Sequence, residues 1–264
     1  MPRFTVEPSD YKLTSVDEAG TKYRLLQKSK FSSFDINVLG LGDVSLPSTP
    51  YDTIAAVFDL EGFTNFCGKI EPHLSVPSFL NSFLGWLMLQ VREEMQQKEY
   101  EAGIALWAPL PFFVKFLGDG LLVLWDCQKL NAVSQRNIIV SMKVLTDKYR
   151  TRFLPTIKSR IVEPPQRLRC GIARGTVFSV GAGEDYVGSC INMAARLQKC
   201  PGITFCFNRR GFNLEDKTIA KFFTDQVVIK EVSVRGIGDH ELVGILSSEY
   251  TKLSPKDKKF YRDV

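Results

Sequence analysis

Histidine is almost missing from this chain: two residues, His73 and His240, in 264. Neither stands in a triad-like or metal-ligand spacing, which argues against histidine-based hydrolysis and against a zinc centre. The six cysteines, at positions 67, 127, 170, 190, 200 and 206, include no C-x-x-C pair. They read as buried thiols, not as metal ligands or a disulfide framework. No apolar run approaches the ~20 residues that a membrane helix requires, so composition argues against membrane insertion. The opening Met-Pro-Arg-Phe-Thr-Val-Glu lacks the basic and apolar blocks of a signal peptide, and a cytoplasmic location is expected. Internal repeats and low-complexity segments are absent as well.

What remains is an ordinary globular composition, 44% hydrophobic and 24% charged. The length suits one domain of about 200 residues with extensions. A net charge of +5 with scattered basic residues fits a small anionic ligand and carries no nucleic-acid footprint.

The most informative stretch is residues 53 to 66, Thr-Ile-Ala-Ala-Val-Phe-Asp-Leu-Glu-Gly-Phe-Thr-Asn-Phe. Ile54 to Phe58 reads as a buried strand ending in the carboxylate Asp59, and Phe63-Thr64 opens a helix. Backbone N–H groups at a helix start attract phosphate, while a carboxylate beside them is placed to hold a hard cation. The alternative is that Asp59 merely caps the helix.

Residues 1 to 51, with alternating stretches at 22–26 and 34–39 and a Pro47-Ser48-Thr49-Pro50 break, read as a strand or hairpin extension. Residues 74 to 98 carry a helical apolar stripe from Leu74 to Val91, a core or dimer surface. Residues 112 to 126 place Gly118-Asp119-Gly120 between two apolar runs, which puts Asp119 at a hairpin tip. A second amphipathic helix spans 133 to 153. A strand pair follows, Leu168 to Ala173 and Thr176 to Val180, turning at Arg174-Gly175. Residues 181 to 200 pass from a glycine turn into a helix on which Asn192 and Arg196, four apart, share one face. Stretches 203–207, 226–234 and 241–246 form a β-rich ending, and 247–264 a polar tail.

Asp59 in Val-Phe-Asp-Leu-Glu-Gly-Phe-Thr, Asp119 in Val-Lys-Phe-Leu-Gly-Asp-Gly, Asp185-Tyr-Val-Gly188 leading to Asn192-x-x-x-Arg196, and Val234-Arg-Gly-Ile-Gly-Asp239 occur in one order. Together these resemble the class III nucleotidyl cyclase catalytic domain over residues 52 to 246. The resemblance implies an α+β fold: a ferredoxin-like βαββαβ core, its antiparallel sheet packed with helices. It implies that Asp59 and Asp119, with the Leu60 carbonyl, hold two divalent cations, Mn²⁺ or Mg²⁺. Such ions would activate a ribose 3′-hydroxyl and neutralise phosphate charge. Asn192 would orient the ribose, Arg196 would donate to the α-phosphate, Arg235 would grip the terminal phosphates, and Phe63 and Thr64 would border them. The family draws its aspartates from one subunit and its Asn-Arg helix from the other. A head-to-tail homodimer is therefore implied, with no nucleic-acid or membrane partner.

Lys115 and Asp185 match the base-reading positions of purine cyclases. The strand-like first 50 residues look more like the bacterial pyrimidine cyclases of antiphage defence, with Tyr51 shortening the base pocket. Lys115 can donate to uracil O4, which favours UTP and cyclic UMP, while Asp185 could accept from the cytosine amine and keeps CTP open. An adenylate cyclase, a catalytically inactive nucleotide-binding module and a polymerase-type palm are the alternatives. The Asn-x-x-x-Arg helix has no place in the last.

Overall fold

The computed structural model describes residues 7–10, 12–16, 22–69, 71–212 and 227–264. The chain divides into two compact units, residues 1–50 with 178–187, and 51–177 with 188–264.

In the first unit, β1 (Lys12–Val16) pairs antiparallel with β2 (Lys22–Leu25), so the strand expected at 22–26 forms, but its partner precedes it in the chain. A short helix, α1 (Lys28–Ser32), follows. The alternating stretch at 34–39 is not a strand but a 3-10 turn, Ile36–Leu39. Asp35 caps it by accepting from the Asn37 N–H, and Gly40, at φ 65°, ends it. The other segment of this unit is held to residues 41–49 by backbone. Ser179 N–H donates to the Thr49 carbonyl at 3.0 Å, and the Ser179 hydroxyl accepts from Thr49 N–H at 2.8 Å. Gly181, at φ 57°, passes so close to the Leu41 carbonyl that a Cβ there would lie 1.3 Å from its oxygen.

The second unit is built on β3 (Pro50–Glu61), whose residues Thr53 to Leu60 are buried without a break. Further strands are β4 (Gln96–Tyr100), β5 (Gly103–Leu106), β6 (Phe113–Phe116), β7 (Gly120–Asp126) and β8 (Arg167–Val180). The last three residues of β8, 178–180, belong to the first unit, where they pair with β9 (Asp185–Val187). After these come β10 (Phe205–Asn208), β11 (Val227–Val234) and β12 (Gly238–Leu246). The main sheet runs β11-β12-β10-β8-β3-β7-β6. Its segment β8-β3-β7-β6 is the strand order of a ferredoxin-like βαββαβ core. β7 is antiparallel to both β3 and β6, while β10 joins β8 in parallel.

Two long helices cover one face, α3 (Pro72–Met95), which follows the single-turn α2 (Phe63–Cys67), and α4 (Ala132–Lys148). The core there is Ile54, Ala56, Phe58 and Leu60 of β3 with Val123 and Trp125 of β7, packed on Phe79, Phe83 and Leu87. By length and composition α3 could cross a bilayer, yet its buried stripe, from Phe79 to Met95, belongs to this core. A π-helical turn, Tyr149–Phe153, carries α4 into α5 (Leu154–Lys158). On the opposite face α6 (Ser189–Leu197) lies against β8. A Cβ on Gly171 would sit 2.1 Å from the Ala194 carbonyl and 2.4 Å from Gln198 N, so sheet and helix touch backbone to backbone.

Three sequence expectations change. Residues 96–106, read in part as helix end, form the β4–β5 hairpin. The strand pair expected around Arg174-Gly175 is one 14-residue strand, because Arg174 is held inside the sheet by Asp52, Gln135 and the Gly211 carbonyl. Residues 247–264 are no free tail. They form α7 (Ser247–Tyr250) and α8 (Pro255–Lys258), bury Leu253 and Tyr261, and cover the β11 edge through paired Glu231–Arg262 backbone bonds. All six cysteines are free and five are buried. Burial pushes the Cys127 thiol up to about 12 and Cys170 well above its ordinary range.

Gly171→Ala, which would force α6 off the sheet, is expected to cost about 2–3 kcal/mol in urea denaturation. Gly85→Ala in α3, where nothing stands within 4 Å, is the control and should be neutral or slightly stabilising.

Candidate active site

Asp59 and Asp119 meet through main chain. Asp59 is paired with Gly120 across the β3–β7 ladder, and the next N–H along, that of Leu60, donates to the Asp119 carbonyl at 3.0 Å. Gly118, at φ 96°, makes the turn before Asp119. Gly120 is required for a different reason: a Cβ on it would lie 1.8 Å from the Phe58 carbonyl oxygen. Asp59 is buried and Asp119 half-buried. No group of three or more His, Cys, Asp or Glu suited to a metal gathers among the described residues.

The residues that sequence reasoning missed lie on β8. Arg169 donates from both Nε and Nη2 to Oδ2 of Asp59, and Arg167 pairs with Glu61 two residues on. Further along, Arg174 grips both carboxylate oxygens of Asp52. Three arginines of one central strand thus hold three acids of its neighbour. For Arg167 and Arg169 the signal was the alternation Arg167-Leu168-Arg169-Cys170, a charged face on a strand whose other face is core; Arg174 falls on that other face, beside Gln135 of α4. The side chains of Arg169 and Asp59 are only 19% and 10% exposed, so this pair is largely withdrawn from water.

That pairing bears on the metals the resemblance implies. Asp59, Asp119 and Arg169 together carry a net charge of −1, and Oδ2 of Asp59 is already taken by a guanidinium. As folded, the donor set does not fit two divalent cations sharing both aspartates. Asp119 and the Leu60 carbonyl are the donors that Arg169 leaves open.

The open face of the sheet carries the remaining candidates. Gly171 faces α6, and Arg169, two residues earlier, faces Asp59; the period of a strand therefore puts α6 and Asp59 on the same face. Asn192 and Arg196 project from α6 as exposed side chains, one turn apart, with Cys190, Met193, Ala194 and Leu197 turned inward. Lys115 of β6 is exposed and opposite Leu122, which is opposite Val57. It is thus on the Asp59 face, about 12 Å away by strand spacing. Phe63, at the start of α2 after Gly62, rests on Phe66 and Phe79, and Thr64 is exposed beside it. Arg235 is exposed in the β11–β12 turn.

Tyr51 is placed apart. It stacks on Phe112 at 5.7 Å, eight residues of extended strand before Asp59, about 26 Å away. Within one protomer it cannot border the base of a nucleotide whose phosphates lie at Asp59. Asp185 belongs to the first unit, where it pairs with Val180 and accepts from the Tyr186 N–H at 2.9 Å. A cavity of about 710 Å³ opens beside Glu61, Gly62 and Asn65, and none of Asp59, Asp119, Asn192 or Arg196 lines it.

No family model and no curated protein matches the chain. Solved structures do. The adenylyl cyclase CyaB from P. aeruginosa aligns at 12% identity with a TM-score of 0.56, covering 79% of this chain and 100% of that one. The guanylyl cyclase Cya2 aligns at 16% identity and 0.55, covering 76% and 94%. At these identities the likeness is one of architecture: the chain has the α+β fold of class III cyclase catalytic domains.

Asp59→Asn would leave the Arg169 guanidinium without its counter-charge in a largely dry place, at an expected cost of about 2–3 kcal/mol in urea denaturation. A loss under about 0.5 kcal/mol would mean that the pair behaves as a water-screened surface bridge.

Proposed function

We propose that this protein is a nucleotidyl cyclase that converts a ribonucleoside triphosphate, with UTP the preferred substrate, into its 3′,5′-cyclic nucleotide and pyrophosphate. The observation that carries the reading is the meeting of Asp59 and Asp119 at the β3–β7 edge, on a fold whose solved relatives include an adenylyl and a guanylyl cyclase. The outward Asn192–Arg196 pair on the same face of the same chain supports it.

In the reaction the ribose 3′-oxygen loses its proton and bonds to the α-phosphorus, and the bond to the bridging oxygen breaks as pyrophosphate leaves. Arg196 would donate to the α-phosphate oxygens as negative charge builds, and Asn192 would fix the ribose. Arg235 would hold the outgoing phosphates. The first-turn N–H groups of α2, with Phe63 and Thr64, would cradle them. Asp119 is the acid open to a divalent ion, Mn²⁺ or Mg²⁺, brought with the triphosphate. Because Asn192 and Arg196 point outward, the reading takes a head-to-tail homodimer in which each protomer completes its partner's site.

For the base, Lys115 supports UTP: it shares the Asp59 face at a distance suited to the span from phosphate to base, and it can donate to a carbonyl such as uracil O4. Tyr51 contributes to that choice only if it comes from the partner. The product, cyclic UMP, would act as a second messenger, and the resemblance of the N-terminal segment to antiphage pyrimidine cyclases favours an alarm signal in phage defence.

The test is incubation of the purified protein with each of ATP, GTP, CTP and UTP plus Mn²⁺ or Mg²⁺, with products resolved by mass. Cyclic UMP should dominate. Arg196→Ala should lower kcat by about 10²–10³-fold, and Asp119→Ala should abolish product. A protein that turns over ATP faster than UTP is a purine cyclase, and one that cyclises none of the four is not an enzyme of this class.

A further inference from the structure

We infer that Arg169 is a built-in cation for Asp59, occupying that carboxylate in competition with divalent metal. The inference rests on the reading of Asp59 and Asp119 as the acidic pair of the site, and not on which nucleotide they serve.

The geometry carries it. Both Nε and Nη2 of Arg169 converge on one oxygen of Asp59, and neither side chain is more than one-fifth exposed. Opposite charges interact more strongly when withdrawn from water, and so do like charges. A divalent ion approaching the same carboxylate therefore meets the guanidinium at short range with little solvent to screen it. Arg169 cannot withdraw by shifting its backbone, since β8 is a central strand bonded to β3 on one side and β10 on the other. Only rotation of the side chain can vacate Asp59. The neighbouring acid offers no second berth, because Glu61 is held by Arg167.

Asp119 is in a different situation. It stands at the turn, half-buried, and its carboxylate takes no hydrogen bond or ion pair among the described residues. The two acids that the backbone brings together are thus inequivalent: one is neutralised from within the chain and the other is open. An incoming triphosphate, itself a strong anion, is the group that can draw the guanidinium off Asp59. Arg169 would then act on phosphate in the same stroke that opens the carboxylate.

The probe is Mn²⁺ alone, without nucleotide, followed through the free-ion electron paramagnetic resonance signal in wild type, Arg169→Gln, Arg169→Met and the Arg169→Gln/Asp59→Asn double variant. The inference expects Arg169→Gln to bind Mn²⁺ at least tenfold more tightly than wild type, and the double variant to fall back to wild-type affinity. Unchanged or weaker binding in Arg169→Gln overturns it, as does a tightening that survives removal of the Asp59 charge. If Arg169→Gln melts too low for titration, Arg169→Met keeps the side-chain bulk. Mn²⁺ should then raise the melting temperature of Arg169→Met more than that of wild type, and an equal shift overturns the inference. Tight Mn²⁺ binding by the Arg169 variants, with no cyclic nucleotide formed by the wild type from any triphosphate, would sustain this inference and reject the cyclase reading. Cyclic nucleotide formation with unaltered Mn²⁺ affinity would do the reverse.

Discussion

The close approach of two strands at Phe58 and Gly120 is the constraint on which the site depends. With no side chain at Gly120, the β7 backbone lies where a Cβ would stand 1.8 Å from the Phe58 carbonyl. That contact sets Asp59 opposite Gly120 and brings the Asp119 carbonyl within hydrogen-bonding distance of Leu60 N–H. Two acids sixty residues apart become neighbours because main chain, not side chain, meets there. Burial of β3 from Thr53 to Leu60 fixes the register, since a one-residue slip would turn its whole core face outward.

From that register follows a division of labour between the two faces of the sheet. One is closed by α3 and α4 over an aromatic core in which Phe79, Phe83, Tyr149 and Phe153 meet edge to face or stacked. The other carries charge: Arg167 and Arg169 of β8 against Glu61 and Asp59 of β3, while Arg174 and Asp52, out of phase with them in the strand period, pair on the helix-covered face beside Gln135 of α4. Charged rungs inside a sheet are costly to desolvate, and each arginine here is placed so that its acid is never left alone. The same face supports α6 through the bare backbone of Gly171, which leaves Asn192 and Arg196 turned outward. The closed face thus supports the polar groups of the open one.

Much of this was legible in the sequence wherever one local pattern decided the outcome. The apolar run of β3, the Gly118-Asp119-Gly120 hairpin, the stripe of α3 and the Asn-Arg helix all follow from short-range periodicity and turn chemistry. What escaped was decided by partners far along the chain. Arg174-Gly175 looks like a turn until Asp52, 122 residues away, is seen to hold the arginine within a continuous strand. Arg169 looks like a solvated strand residue until Asp59, 110 residues away, takes it. Gln96 to Glu99 are helix formers that the structure uses as an edge hairpin, and Leu253 and Tyr261 are too sparse in their polar surroundings to announce that the C-terminal residues are packed. Tyr51, expected to shorten the base pocket, stands eight residues of extended strand from Asp59, a separation that a stretch read in one dimension does not show.

In the proposed enzyme an acid pair from one protomer works with an Asn-Arg helix from another. The direct measurement is complementation: Asp119→Ala and Arg196→Ala proteins, each inactive alone, are mixed in equal amounts under conditions that let protomers exchange. Half of the dimers are then mixed and each has one intact site, so cyclic nucleotide formation should return to about a quarter of the wild-type rate. A mixture as inactive as its components would contradict it.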